Sequence, residues 1–326
     1  LVLIGWALLA SPYSQLAMAK NVNDEEMEES AWKSIRQRAK TSNGAMARKM
    51  LEENSDKADV EIGDDSTKDD AWNGGYFLQD SFEVSPRVIA RFLRKVEGEY
   101  SPRNVNPYHN NIHAADVVQS THALVQMGGE DMELAYTPLE TYSLLLAAAC
   151  HDIKHPGTSN NYQVNKRTEY ALRYNDHSVL ENMHASRAAC LLEGVDINES
   201  GEASGSGGGE QGILGKMTKE QRTAFRTSLL RSILSTDMSR HFREIAKMKG
   251  HVETMEEEIE LEVESSSSSP RTSFLSRIGG EKHKTLREKF LPFLLHLADI
   301  SNPAKPHDVS SEWVKCVYDE FFLQGE

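Results

Sequence analysis

Apolar residues recur at helical spacing through most of the chain beyond residue 80. Val88, Ile89, Phe92, Leu93 and Val96 share one helix face, with Ser85 as N-cap, Pro86 at the first helical position and Gly98 as the stop. Pro107 precedes a predicted helix from about Tyr108 to Met127, ended by Gly128 and Gly129. Thr137-Pro138-Leu139-Glu140 is a capping box. It opens the stretch Leu144 to Cys150, which has no polar face and is therefore predicted to be a buried, central helix. Ser178-Val179-Leu180-Glu181 reads as a second capping box and Thr218-Lys219-Glu220-Gln221 as a third. After the third, Phe225, Leu229, Ile233 and Leu234 form one apolar face. Period-2 alternation is hard to find. The pattern predicts an all-α fold, compact and built of many helices around one buried site.

Polar segments break this pattern. Residues 198–212 are rich in Gly and Ser and predict a flexible insertion. Residues 248–280 hold a Glu-rich stretch and then Ser265 to Ser269, and predict a second, mobile insertion, with a regulatory phosphorylation loop as its functional alternative. Residues 21–71 read as an acidic linker, and order is expected from Trp72 onward, so that 72–326 forms one domain. Residues 1–10 are uninterruptedly apolar, about half of the ~20 residues a membrane-spanning helix needs. The segment 1–20 is read as a membrane-helix remnant that tethers the chain, with the remainder in the cytoplasm. A signal-peptide tail ending near Ala17-Met18-Ala19 and a core helix are the alternatives. The first residue is Leu and the last segment reads as mid-helix, so both ends are expected to be cut.

Composition narrows the function classes. The net charge is −14, which argues against nucleic acid as a partner, because phosphate-backbone binding needs a Lys/Arg stripe. The three cysteines, scattered in apolar contexts, suit buried thiols in a reducing compartment.

The candidate chemistry lies in a few polar residues within apolar surroundings. His109 and His113 have i,i+4 spacing. His151-Asp152 ends the apolar helix, His155 follows one turn later, and Asp299 sits inside FLLHLADI. Each alone has a bland explanation: a satisfied core histidine, a buried N-cap for Asp299, the capping box for Glu181. Together, two imidazoles and two carboxylates suit Zn²⁺, and an Asp with a free oxygen can bridge to a second, harder ion such as Mg²⁺ or Mn²⁺. A zinc-protease reading of His109-x-x-x-His113 fails because Asn110 stands where that motif needs Glu.

YHNNIHAADV, HDIKHPGTSN, YNDHSVLENMHA, STDMSRHF and HLADISNPAKP, in this order, resemble the catalytic domain of the class I 3′,5′-cyclic-nucleotide phosphodiesterases, metal-dependent phosphohydrolases of the HD type. NPYHNNIHAAD and FFLQGE lean towards the calmodulin-dependent type and Asn302 towards the cAMP-specific types, so no subfamily is assigned. The resemblance implies hydrolysis of cAMP and/or cGMP to the 5′-nucleotide by a hydroxide held between two metal ions. It implies His113, His151, Asp152 and Asp299 as metal ligands and His109 as the general acid. His155, Glu181 and Thr236 would hold water around the second ion, and Glu320 would orient His109. Tyr108, Asn302, Trp313 and Val317 would line the base pocket. Ser310 stands where related enzymes often carry an aromatic. The family's base-binding glutamine and clamping phenylalanine would fall beyond Glu326. A homodimer stays open. The alternatives are another HD-type phosphohydrolase, which would lack YHNNIHAAD and ISNPAKP, and a catalytically silent cyclic-nucleotide-binding module, which intact metal positions and His109 argue against.

Overall fold

The structure, a computed structural model, describes residues 81–84, 86–127, 136–197, 203–204, 212–265 and 284–325. Its helices are α1 (Pro86–Gly98), α2 (Asn111–Met127), α3 (Pro138–Cys150), α4 (Asn160–Lys166), α5 (Glu169–Arg173), α6 (Val179–Glu193), α7 (Lys219–Leu234), α8 (His241–Ser265), α9 (Lys284–Asp299) and α10 (His307–Gly325). Among the described residues, extended structure is limited to a two-residue antiparallel ladder, Asp196–Ile197 against Ala203–Ser204. The fold is all-α, and every described residue belongs to one compact unit.

Helix α3 is the centre. It packs against α1, α2, α6, α7 and α9, and every residue from Thr141 to Cys150 is buried. A helix apolar on all faces reaches a low free energy only when all faces are covered, and five neighbouring helices cover this one. Its start is the expected capping box: Thr137 Oγ1 accepts the Glu140 N–H at 3.2 Å, and Glu140 accepts the Thr137 N–H at 2.8 Å. The Thr218 box at the start of α7 forms in the same way. Tyr142 is fully buried, and its hydroxyl donates to the Ile213 carbonyl at 2.6 Å. At the far end, the buried Tyr100 hydroxyl donates to the Ala149 carbonyl at 3.0 Å and accepts the Asp152 N–H at 3.4 Å. That end of α3 delivers His151 and Asp152 into the interior.

Four expectations are corrected. Helix α2 begins at Asn111, not Tyr108, because the Asn110 side chain accepts the Ile112 N–H at 2.8 Å and so caps the helix itself. His109 therefore precedes the helix and does not share a helical face with His113. Ser178 makes no side-chain cap bond and has φ 43°, so the second capping box does not form. The segment expected to be mobile from residue 248 begins as helix, since α8 runs on to Ser265; residues 266–283 lie outside the described ones. The membrane-anchored reading is also overturned: no helix among the described residues is long and apolar enough to cross a membrane. The apolar run 1–10 and the linker 21–71 lie outside the described residues.

Candidate active site

His113 from the first turn of α2, His151 and Asp152 after α3, and Asp299 at the end of α9 converge, with one donor atom of each within 4.8 Å of the others. His113 Nε2 lies 3.0 Å from Asp299 Oδ1 and 3.4 Å from Asp152 Oδ2. His151 Nε2 lies 3.1 Å from Asp152 Oδ2 and 3.3 Å from Asp299 Oδ1. The two Nε2 atoms are 3.3 Å apart. His151 Nδ1 donates to the Ala148 carbonyl at 2.9 Å, which leaves its Nε2 with the lone pair.

Electrostatics match this geometry. Burial by itself pushes both imidazoles down, yet the two carboxylates override it and hold His113 above, and His151 well above, its ordinary value. Burial would raise Asp152 and Asp299, but the facing imidazoles hold both below the carboxylate range. Four convergent acceptors need positive charge between them. Protons supply it in the bare protein, and a divalent cation fits the same donors.

Beside this group is a second one. Glu320 of α10 accepts the Tyr108 and His109 backbone N–H groups on Oε2 at 2.9 and 3.0 Å, and its Oε1 pairs with His109 Nδ1. Burial would raise the Glu320 carboxyl, but these bonds hold it below its ordinary value. The pairing leaves His109 Nε2 free of Glu320, on a side chain 27% exposed. The His155 ring stacks on His109 with centroids 3.8 Å apart, and His155 Nδ1 accepts the Gly157 N–H at 3.1 Å. Burial and the neighbouring His109 hold His155 well below its ordinary value, so it is neutral. Gly157 has φ 75°, and a Cβ there would sit 2.7 Å from Asn106 Oδ1, so the turn that brings His155 in requires glycine.

Glu181 makes no capping box. Asn160 Nδ2 donates to both its oxygens at 3.0 Å, and burial lifts the carboxyl to about 7. Asn302 is buried, and its amide donates to the Tyr108 hydroxyl at 2.8 Å. The Tyr108 ring packs on His113 at 4.5 Å and on Trp313 at 5.6 Å. The structure thus brings Tyr108, Asn302 and Trp313 to the edge of the metal-type group. Of the other two, the Thr236 hydroxyl donates back to the Ile233 carbonyl at 2.8 Å, and Val317 lies half-buried one turn beyond Trp313.

Three further residues belong to the site. Asn160 lies in the HPGTSN motif and His184 in SVLENMH, so both carried a sequence signal. His184 Nδ1 donates to the Ile153 carbonyl at 2.6 Å, and its Nε2 faces Asp152 Oδ1 at 3.7 Å. Tyr100 sits outside every motif and carried none.

An all-helical chain with a buried His₂Asp₂ group next to a carboxylate-backed histidine has the make-up of a metal-dependent phosphohydrolase. The chain belongs to the 3′5′-cyclic nucleotide phosphodiesterase family, which matches residues 108–326. It is 36% identical over 249 residues to the 3′,5′-cyclic-AMP phosphodiesterase, isoform F, of Drosophila melanogaster, covering 76% of this chain and 32% of the fly protein. It is 34% identical over 251 residues to the human dual specificity calcium/calmodulin-dependent 3′,5′-cyclic nucleotide phosphodiesterase 1C, covering 77% of this chain and 29% of that one. The chain therefore spans about a third of such relatives. Among solved structures, the phosphodiesterase domain of Salpingoeca rosetta rhodopsin phosphodiesterase matches with a TM-score of 0.57 and 27% identity, over 76% of this chain and 63% of that one.

Proposed function

We propose that residues 72–326 form a catalytic domain that hydrolyses the 3′ phosphoester bond of cAMP and/or cGMP to give the 5′-nucleotide. The single observation that carries this reading is the convergence of His113, His151, Asp152 and Asp299 beside the His109–Glu320 pair. Family membership and the names of the relatives support the substrate class. His113, His151, Asp152 and Asp299 would hold Zn²⁺, with Asp152 shared with a second ion, Mg²⁺ or Mn²⁺. Such ions lower the pKa of water and neutralise charge on phosphoryl oxygens.

The side chains supply the rest. His109 gives the Nε2 proton to O3′ as the O3′–P bond breaks, so O3′ departs as a neutral hydroxyl while the phosphate stays bonded to O5′. Glu320 holds His109 in the tautomer with Nδ1–H towards itself and stabilises the imidazolium before the proton is given. His155, Glu181 and Thr236 order water on the Asp152 side. Asn302 offers hydrogen bonds to the base edge, and Tyr108, Trp313 and Val317 supply apolar walls.

Hydrolysis of cAMP and cGMP, compared with p-nitrophenyl phosphate and 5′-AMP with and without chelator, tests the reading. Turnover of the cyclic nucleotides alone, lost with chelator, is expected. Preference for the monoesters would assign the chain to a nucleotidase-like chemistry instead.

A further inference from the structure

The turn before α6 is built from an unfavourable backbone. Asn175, Asp176 and Ser178 have φ of 54°, 61° and 43°, left-handed values that Asn and Asp tolerate but that disfavour serine. Ser178 is held there from outside its own helix. Its hydroxyl donates to Asp237 Oδ2 at 2.6 Å and accepts from Arg240 Nη2 at 2.9 Å. Asp237 is buried, and its Oδ1 accepts the Ser239 N–H at 2.8 Å. The serine that would cap α6 is thus tied to the turn that follows Thr236.

The vacated cap is filled by another residue. Asn160 Oδ1 accepts the Leu180 N–H at 2.9 Å, while Asn160 Nδ2 donates to both Glu181 oxygens at 3.0 Å. In a capping box Glu181 would fold back onto the Ser178 N–H. Here it lies three residues before His184 on the same face of α6, and His184 Nε2 faces Asp152 Oδ1 at 3.7 Å.

We propose that Asn160 and the Ser178–Asp237 pair are positioning residues that hold Glu181 off its own helix end and turned towards Asp152, where a second divalent cation needs it. This rests on the functional reading above. None of the three touches substrate or the reacting atoms. Asn160 acts through its amide donor and Ser178 through its hydroxyl.

Mn²⁺ titrated into the Zn²⁺-loaded full chain, with free ion counted by EPR, tests the proposal without substrate. Asn160→Asp keeps the cap acceptor and replaces the donor with an oxygen that repels Glu181. Ser178→Gly cuts the tie to Asp237 and suits the left-handed backbone at this position. Each should weaken Mn²⁺ binding about 10-fold or more, as loss of supporting hydrogen bonds does at other metal sites, with zinc content unchanged. Glu181→Gln should weaken it as well, and Asn160→Asp on that background should add less than half of its separate effect. Wild-type Mn²⁺ affinity in Asn160→Asp and Ser178→Gly, full additivity with Glu181→Gln, or a parent chain that takes up no second ion would each overturn the proposal. Hydrolysis by the parent is scored apart, so a chain inert on cyclic nucleotides fails the functional reading and leaves this result standing on its own.

Discussion

At the residue scale, His109 is oriented by its partner Glu320, whereas Glu181 is set by burial. His109 has its Nδ1 committed to Glu320 and can only deliver a proton from Nε2. His109→Ala should lose about 10²–10⁴-fold in kcat with its metal content intact. A substrate with a better leaving group at O3′ should recover part of that loss, and equal damage on good and poor leaving groups would count against the acid role. Glu320→Gln should show a milder version. Asp152→Ala and Asp299→Ala differ in kind: each should abolish hydrolysis and lower bound zinc, and near-parental turnover in either would remove it from the ligand set.

Glu181 predicts a pH effect in the ion-free protein. Its carboxyl stands at about 7 against an ordinary 4.5, so below 4.5 it is protonated whether the chain is folded or unfolded. As pH rises from 4.5 to 7, the unfolded chain releases its proton first, and stability falls. The cost is complete above 7 and amounts to about 2–3 kcal/mol, allowing for partial solvent access. Ion-free Glu181→Gln should therefore melt higher than the parent at pH 8 and alike at pH 4.5. Parallel melting curves across this range would show that Glu181 is less confined than the structure indicates.

At the scale of the element, helix starts separate what local sequence decides from what the tertiary fold decides. The Thr137 and Thr218 boxes form as their sequences predict, each threonine hydroxyl accepting the backbone N–H three residues on. Thr137→Ala and Thr218→Ala should each cost about 1 kcal/mol in chemical denaturation, with ion binding unchanged. The Ser178 box has the same local signature and does not form, because Asp237, distant in sequence, claims the hydroxyl. Helix α2 shows the reverse case. Asn110 is a sound N-cap in the sequence, and taking Pro107 as the mark of the helix start placed it too early. The central place of α3 was legible from its missing polar face. The role of Tyr100 was not, since a buried hydroxyl that braces the end of a neighbouring helix leaves no periodic trace.

Over the whole molecule, the metal-type residues were legible because each is a polar group inside an apolar run, where an unpaired charge is costly and so marks a partner. Their convergence is a property of the fold alone: His113 and Asp299 lie 186 positions apart and meet because α2 and α9 both pack on α3. The net charge of −14 adds to this picture. With that net charge the chain has no surplus of cationic side chains to meet a phosphate, and ions held by the site would supply the positive charge. The central claim is therefore metal-dependent cleavage at O3′. The most direct measurement is product analysis of cAMP and cGMP incubated with the chelator-stripped chain, before and after Zn²⁺ and Mg²⁺ are returned. The account predicts no product from the stripped chain and only the 5′-nucleotide after reloading. Undiminished turnover without ions, or a 3′-nucleotide as product, would contradict it.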